Sequence, residues 1–236
     1  MAEYVDAWVP GWTPETDGIL KELGYSAAVA KAPTKAKTSA AWIDASNVQQ
    51  AAKKTLDSGG RLVYAAGGAE SVNRLIVESH EVDVIWNTHE SEVRDLLNYR
   101  AGGLDDAAVN IMAEHKIMMG FSLSSFLSAQ YGRQRAFWLG RARQDVRFAR
   151  KKKVPVVVAS GAADEWGIRA PMELIAFGML LGLNQEEAVN SVLKNPLCLL
   201  KKAENRGDPN VILKGLTVTS WGSTSQPKSK RQYGWY

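Results

Sequence analysis

The side chains best suited to chemistry in this chain form one basic stretch. Nine lysines and arginines lie between Arg133 and Lys153, and the one acid among them is Asp145. Arginine binds phosphate through a planar fork and stacks on bases, so such a cluster is typical of RNA recognition. The alternative is a solvated helix face whose cations pair with acids elsewhere in the chain. The RNA-binding candidates in this stretch are Arg133, Arg143, Arg147, Arg150 and Lys151.

A second basic group stands near the C-terminus. The cations Lys228, Lys230 and Arg231 are followed by or interleaved with aromatic residues, namely Tyr233, Trp235 and Tyr236, with Trp221 upstream. Cations beside aromatic rings supply phosphate contacts and stacking platforms for single-stranded nucleic acid. A flexible, solubilising end is the alternative, and the sequence leaves both open.

Groups for metal binding or acid–base catalysis are few and scattered. The three histidines, His80, His89 and His115, show none of the paired spacings of a zinc site, and Cys198 is the single cysteine. No histidine stands at a spacing that would activate the serines of the 122–128 region as nucleophiles. We therefore predict surface or helix-capping histidines, no metal site and no catalytic residue.

Two further positions have both a chemical and a structural interpretation. Asp6 could ligate a metal, but Ala7 and Trp8 follow it where a metal enzyme would have imidazoles, so a polar network is the favoured role. Gly67 and Gly68 stand between a predicted strand and helix, where free N–H groups bind anions. Because this pair lacks the other glycines of a dinucleotide fingerprint and the Lys-Ser/Thr of a P-loop, a tight turn is favoured.

The basic stretch must be positioned by a helix that leads into a strand. Ala142, Val146 and Ala149, preceded by Trp138 or Leu139, recur at spacings of three and four. One stripe is therefore buried while the arginines line the adjoining face. The run VPVVVA at 154–159 is β-branched and apolar at successive positions, which is typical of a parallel strand covered on both sides.

Strand and helix signals alternate along the rest of the chain. Strands are predicted at 4–9, 25–30, near Ile43, and at 61–65, 82–86, 116–123 and 154–159. Helices are predicted from Pro14, and at 47–56, 70–79, 90–97, 104–114, from 133 to about 153, 171–181, from 184 to before 195, and 196–205. This alternation predicts an α/β fold with a parallel sheet, either open or closed into a barrel.

Composition and charge predict one domain followed by a basic tail. A chain of 236 residues with 45% hydrophobic content buries one sizeable core. Residues 1–205 are assigned to a single α/β domain, and residues 206–236, which carry the whole net charge of +4, to a flexible tail. No run reaches the roughly 18 apolar residues of a membrane span. The acidic N-terminus and the lone cysteine lead us to expect a cytoplasmic protein without a leader or membrane contact.

Several motifs between residues 61 and 196 carry a family resemblance. They are Gly67-Gly68 with Asn73-Arg74, Val-Asp-Val at 82–84, Gly103-Leu104-Asp105 at a helix start, Arg143 in the basic helix, VPVVVASGA from 154, and Arg169 with Pro171. In the order of these motifs the chain resembles the protein component 3 family of archaeal ribonuclease P, which is similar to the thirty-kilodalton subunit of the eukaryotic enzyme.

The resemblance implies a TIM-barrel-like parallel barrel with surrounding helices, related to metal-dependent phosphoesterases of the polymerase-and-histidinol-phosphatase type. It implies a non-catalytic subunit of ribonuclease P, the ribonucleoprotein endonuclease in which RNA removes the 5′ leader from precursor tRNA. The implied partners are ribonuclease P RNA, a small α/β protein subunit and the other protein subunits, with precursor tRNA contacted indirectly. The chain itself is expected to bind no cofactor, while magnesium is expected with the RNA.

Two rival functions remain open from the residues alone. One is a stand-alone metal-dependent phosphoesterase on the same barrel, using Asp6, His89 and another acid. The other is a scaffold without RNA contact, whose acid-rich middle binds a basic protein. The acid-rich middle consists of Glu70, Glu78, Glu81, Asp83, Glu90, Glu92, Asp95, Asp105 and Asp106.

Overall fold

A nearly closed barrel of seven parallel strands organises the chain. The computed structural model describes residues 3–32, 38–44, 48, 50, 61–79, 81–91, 94–95, 100–213 and 215–226. The strands follow one another in chain order around the sheet: β1 Tyr4–Val9, β2 Tyr25–Lys31, β3 Thr38–Ile43, β4 Leu62–Ala66, β5 Val84–Trp86, β6 Met118–Ser122 and β7 Val156–Ala159. At the closure, the N–H of Gly161 donates to the Trp8 carbonyl oxygen at 3.0 Å. The predicted TIM-barrel-like α/β fold is therefore confirmed.

Helices alternate with these strands and surround the barrel. In the described residues they are α1 Thr16–Glu22, α2 Glu70–Glu78, α3 Asp106–His115, α4 Leu123–Ser128, α5 Gly132–Lys152, α6 Pro171–Leu180, α7 Gln185–Val192 and α8 Lys194–Gly207. Short 3-10 turns occupy Thr88–Glu90 and Glu165–Gly167. None of the helices that the structure describes is long and apolar enough to cross a membrane.

Two predicted elements differ from the structure, and two more lie largely outside the residues that it describes. The serine-rich bend after β6 is the helix α4, because Leu123 and the buried Phe126 stand three residues apart and pack against the core. Strand β3 begins at Thr38, earlier than the short strand expected near Ile43. The predicted helices at 47–56 and 90–97 lie largely outside the described residues, and the chain at Thr88–Glu90 forms a 3-10 turn.

Two apolar layers hold the barrel together. One lies between the sheet and the helices, where Val63, Ile85 and Val158 belong to the same cluster as helix residues such as Val146. The other belongs to the barrel interior, where Val84 and Val157 cluster with Leu199 and Ala203 of α8. Successive strand residues point to opposite faces, so a run such as VPVVVA supplies both layers at once.

Helix α8 closes one end of the barrel. It ends at Gly207, so the predicted division between barrel and tail after residue 205 falls within its last turn, and that division stays a prediction. A short antiparallel hairpin follows, with strands β8 Val211–Leu213 and β9 Leu216–Thr217. The half-buried Trp221 donates its indole N–H to Asn210 at 2.8 Å, which ties the chain after the hairpin back to it.

Candidate nucleic-acid interface

Helix α5 turns its apolar stripe inward, as its spacing predicts. Ala142, Val146 and Ala149 are buried in the core, with Trp138 and Leu139 partly buried against it. These positions recur at three and four residues, which places them on one side of a 3.6-residue helix. The opposite side is therefore available to the cations of the same helix.

Five candidate cations lie on the exposed side of α5. Arg133, Arg143, Arg147, Arg150 and Lys151 are all exposed. Arg143, Arg147 and Arg150 follow at spacings of four and three and so lie along one face. Arg133, one turn from Phe137, places its guanidinium carbon 5.6 Å from the centre of that ring. The structure thus brings the α5 candidates onto a shared surface, as predicted, while their contact with RNA stays a prediction.

Arg150 is already engaged by an acid of the same chain. Its Nε and Nη2 donate to the two carboxylate oxygens of Glu187 at 2.9 and 2.6 Å, and Nη2 also donates to the Gly182 carbonyl oxygen at 2.7 Å. Glu187 caps α7 as well, forming the predicted capping box with Asn184. The hydrogen bonds from Arg150 lower the pKa of Glu187. The contacts between Arg150 and Glu187 thus link α5 to α7.

Two lysines at the end of α5 share a second acid. The Nζ atoms of Lys151 and Lys152 lie 3.0 Å from different oxygens of Asp106, in the first turn of α3. Their hydrogen bonds lower the pKa of the Asp106 carboxyl. Exposed pairs of this kind contribute little to stability, and their effect here is to reduce the net charge at this end of the helix.

Arg141 of α5 is buried and serves the fold. Its Nε lies 2.8 Å from Asp95, and its Nη1 donates to the Ser91 carbonyl oxygen at 2.5 Å. The same holds for Asp145, the one acid in the basic stretch. It is buried, accepts a hydrogen bond from Thr88 Oγ1 at 2.8 Å, and burial raises its pKa well above the ordinary value.

The acid-rich middle is largely committed within the fold. Asp83, Asp95 and Asp106 pair with cations, and Asp105 caps α3 by accepting from the Ala108 N–H at 2.6 Å. Glu78 pairs with Arg74 one turn away at 3.3 Å. Some cations of α5 therefore pair with acids elsewhere in the chain, as the solvated-face alternative predicts in part. The paired acids also offer fewer unpaired carboxylates to a basic protein partner.

The basic residues near the C-terminus belong to the part of the chain that the structure does not describe. Lys228, Lys230 and Arg231 lie outside the described residues, as do Tyr233, Trp235 and Tyr236. Their assignment to RNA binding stays a prediction. Arg100, which sequence reasoning missed, stands beside α5, and no spacing rule along the chain connects it to that helix.

Aromatic rings fill the end of the barrel where the strands terminate, which we call the barrel mouth. Trp8 stacks on Trp42 with ring centres 4.8 Å apart and meets Tyr64 edge-on at 5.2 Å. Trp86, the last residue of β5, lies 5.5 Å from Tyr64. A Cβ atom at Gly120 would come within 2.5 Å of the Trp86 ring, so this glycine makes room for the indole. Barrel enzymes place their catalytic groups at this end.

Asp6 belongs to a buried polar network, the role favoured from sequence. Its carboxylate accepts hydrogen bonds from the N–H of Trp8 and the N–H of Ser160, each at 3.2 Å, and from the Ser160 hydroxyl. Burial raises the pKa of Asp6 to about 6, although the hydrogen bonds from Ser160 and Trp8 act to lower it. With its oxygens occupied, Asp6 does not offer a free metal ligand.

His89 is buried, so the expectation of surface or capping histidines is wrong for this residue. Its ring stacks on Phe126 with centres 4.3 Å apart, and burial, aided by Arg141, lowers its pKa to about 3. The fold also brings its Nε2 to 3.2 Å from Ser125 Oγ, a contact that sequence spacing missed. Ser125 donates to Glu90, and His89 Nδ1 has no hydrogen-bond partner in the part of the chain that the structure describes. In a catalytic triad an acid orients the base, and among the described residues no acid contacts the His89 ring in this way.

The glycine pair after β4 forms a tight turn. The N–H of Gly67 donates to the Trp86 carbonyl oxygen at 2.6 Å, and that of Gly68 to Asn73 Oδ1 at 2.7 Å. Asn73 Nδ2 then donates to the Gly103 carbonyl oxygen at 2.7 Å, which joins the family motif residues. These amides are used inside the fold, and no group of three or more histidine, cysteine, aspartate or glutamate side chains among the described residues could hold a metal.

One family model and curated archaeal proteins of one name match this chain. A family model described as RNase P subunit p30 matches residues 41–208. "Ribonuclease P protein component 3" of Methanosarcina mazei is 30% identical over 152 residues, 64% of this chain and 59% of that protein. The same component of Methanococcoides burtonii is 28% identical over 152 residues, 64% of this chain and 58% of that protein. The chain thus spans somewhat under three-fifths of the length of these curated relatives in the matched region.

Solved structures share the barrel at low sequence identity. A chain from the cryo-EM structure of archaeal ribonuclease P with mature tRNA matches with a TM-score of 0.66 and 20% identity, over 84% of this chain and 89% of that chain. A prolidase crystallised with N-methylphosphonate-L-proline matches with a TM-score of 0.58 and 10% identity, over 85% of this chain and 74% of that chain. At these identities the likeness concerns the fold alone.

Proposed function

The chain belongs to the RNase P subunit p30 family, and from this premise we propose that it is a protein subunit of ribonuclease P, the ribonucleoprotein endonuclease that removes the 5′ leader from precursor tRNA. The observation that carries the proposal is the extent of the family match. The match runs from within β3 to the end of α8. It includes the basic helix α5 and the hydrogen bond from Asn73 to Gly103.

In this proposal the chain supports a catalytic RNA and performs no chemistry itself. The indoles and the phenol at the barrel mouth support that division of labour, because they occupy the space where a barrel enzyme would bind substrate. The rival phosphoesterase needs Asp6 and His89 as ligands. Asp6 is held by Ser160, and His89 is buried against Phe126, so the contacts of both residues count against the rival.

The exposed face of α5 is the proposed RNA contact. Arg143 and Arg147 are exposed and lie one turn apart on this face. Guanidinium groups bind backbone phosphates through paired hydrogen bonds, and such contacts supply sequence-independent affinity for RNA. Arg133, Arg150 and Lys151 extend the same surface, although the last two also bind acids within the chain.

The proposed partners are those of the family resemblance. They are ribonuclease P RNA, a small α/β protein subunit and the remaining protein subunits, with precursor tRNA contacted indirectly. Magnesium serves the RNA component in this proposal, and the chain carries no cofactor of its own. A cytoplasmic location, expected from the single cysteine, stays a prediction.

Reconstitution tests the proposed function. Precursor tRNA cleavage is measured at low magnesium with the cognate RNA and partner subunits, in the presence and absence of this chain. We expect the chain to raise the cleavage rate or to lower the magnesium concentration that cleavage requires. A rate and a magnesium requirement that do not change when the chain is added would overturn the proposal.

A separate assay tests the rival enzyme. The purified chain, free of RNA, is incubated with a phosphodiester substrate and manganese, and the Asp6→Ala variant serves as its control. We expect no hydrolysis above the buffer rate from either protein. Hydrolysis by the wild-type chain that is lost in Asp6→Ala would favour the phosphoesterase.

A further inference from the structure

A cationic pocket lies between α5 and the segment that precedes α3. Its volume is about 230 Å³, and among the described residues it is lined by Arg100, Gly140, Arg143, Gln144 and Arg147. The four α5 residues stand at spacings of three, four and seven, so they form one helical face. The pocket therefore combines three arginines from two separate parts of the chain.

Gly140 allows Arg100 to lie against the helix. A Cβ atom at position 140 would come 1.8 Å from Nη1 of Arg100 and 2.5 Å from its Cζ, so the guanidinium occupies the space that any other side chain would take. Gln144 donates its Nε2–H to the Arg100 carbonyl oxygen at 2.9 Å, which fixes the backbone of Arg100 one turn further along α5. Arg100 is thus positioned by contacts from two residues of the helix.

The charge of this pocket is not balanced by the acids that the structure describes. Arg143 donates its Nε–H to the Leu180 carbonyl oxygen at 2.9 Å, a contact that holds the side chain without neutralising it. The lining contains no carboxylate in the described part of the chain. Nearby cations differ in this respect, since Arg150 binds Glu187 and Lys151 binds Asp106. Three like charges around one cavity repel each other, and a bound anion relieves that repulsion.

We propose that this pocket binds one backbone phosphate of the RNA, with Arg100, Arg143 and Arg147 as its ligands. The proposal rests on the proposed function and adds a subsite to it. Planar guanidinium forks donate paired hydrogen bonds to phosphate oxygens, and the pocket volume exceeds the roughly 30 Å³ of a water molecule in the liquid. The RNA backbone is favoured over an acidic protein because the described lining consists of three arginines, a glutamine and a glycine, with no apolar anchor among them.

The Gly140→Ala variant tests the pocket without changing any charge. The added methyl group displaces the guanidinium of Arg100, which is the flexible end of an exposed side chain, so the fold is retained. We expect the affinity for the cognate ribonuclease P RNA to fall about tenfold, the cost of losing one charge-assisted contact. The slope of log K against log salt is expected to become shallower by somewhat under one.

Two further variants make the test specific. Gly132→Ala is the matched control, because it makes the same substitution in the first turn of α5 where an added Cβ meets nothing within 4 Å. Arg100→Ala should match Gly140→Ala, and the double variant should be no weaker than either single one, since both act through the same guanidinium. Wild-type RNA affinity in Gly140→Ala and Arg100→Ala would overturn the pocket.

The outcomes separate the pocket from the proposed function. If replacing Arg143 and Arg147 weakens RNA binding while Gly140→Ala does not, the subsite is wrong and the basic face still contacts RNA. If the Gly140→Ala variant keeps its RNA affinity but assembles poorly with the partner subunits, the pocket binds an acidic protein and the phosphate assignment is overturned. The proposed function fails separately, when the chain has no effect on reconstituted cleavage.

Discussion

The guanidinium of Arg206, on α8, binds the carboxylate of Asp83 through two nitrogens at the end of the barrel opposite the aromatic mouth. Its Nη1 and Nη2 lie 2.6 and 2.9 Å from the two carboxylate oxygens, and Lys202 Nζ approaches within 2.5 Å. Asp83 also accepts the N–H of Val63 at 2.8 Å. Burial acts to raise the pKa of Asp83, and the two cations more than offset it, so the pKa is lowered. The last helix is thereby fastened to the sheet.

The first prediction concerns this pair. Arg206→Ala should lower the free energy of unfolding by about 3–5 kcal/mol, because it removes the main partner of a fully buried carboxylate. Urea denaturation followed by circular dichroism measures the loss. Lys201→Ala, at an exposed position of the same helix, should change stability by less than about 0.5 kcal/mol. Equal midpoints for the two variants would contradict the prediction.

Truncation examines the same contact at the predicted domain boundary. A chain that ends at residue 205 loses Arg206 and Gly207, the last two residues of α8, together with the hairpin, and it should be destabilised at least as much as Arg206→Ala. A chain that ends at residue 226 keeps the helix and the hairpin and should retain wild-type stability. If both truncated chains unfold like the wild type, the barrel does not depend on this helix end.

The second prediction follows from the raised pKa of Asp6, about 6 in the folded chain against 3.8 ordinarily. Between these values the folded state binds more protons than the unfolded state, so Asp6 adds stability as the pH falls. The interval corresponds to about 3 kcal/mol. The stability of wild type minus that of Asp6→Asn should therefore rise from pH 7 to pH 4, as measured by urea denaturation at each pH.

Ser160 provides the control for Asp6. Its hydroxyl and N–H donate to the carboxylate and act to lower the pKa. Ser160→Ala removes the hydroxyl, so the pH window of the Asp6 effect should move upward. A difference between wild type and Asp6→Asn that does not vary with pH would show that Asp6 titrates alike in the folded and unfolded chains.

The third prediction has the opposite sign and concerns His89. Its pKa of about 3 lies below the ordinary 6.5, so the unfolded chain takes up a proton first as the pH falls. The stability that neutral His89 contributes is complete above pH 6.5 and declines below it, by about 3 kcal/mol at pH 4. In the non-titrating variant His89→Phe this decline should disappear. Because Asp6 and His89 oppose each other in the same window, only differences from the matched variants reveal either effect.

Local patterns in the sequence were sufficient for the strands, the apolar stripe of α5 and the capping box of α7. The predicted strand VPVVVA at 154–159 contains β7, which begins two residues later and ends at the same residue. A β-branched run of this kind favours the extended conformation. The α5 stripe is buried because its period matches the helix. Such features depend on neighbours along the chain, and therefore can be read from it.

Pairings between distant residues could not be predicted in this way. Asp83 and Arg206 are 123 residues apart, and Arg150 and Glu187 are 37 apart. Glu187 carries a local capping signal, but nothing local indicates its second role as a partner of Arg150. For His89 the lack of any paired histidine spacing predicts a surface or capping position, whereas the turn after β5 packs its ring against Phe126 and Trp138.

The fourth prediction ranks the arginines of α5 by what they already bind. Arg147→Ala should lower the salt slope of RNA binding by somewhat under one, since its charge is free for a phosphate in the described structure. Arg150→Ala should lower it less, because Glu187 holds that side chain by two hydrogen bonds. Binding to the cognate RNA is titrated at several salt concentrations, with Lys21→Ala, an exposed cation on α1, as the charge-matched control. Equal effects from Arg147 and Arg150 would mean that the Glu187 pair opens when RNA binds, and a slope unchanged in both variants would remove this face of α5 from the RNA interface.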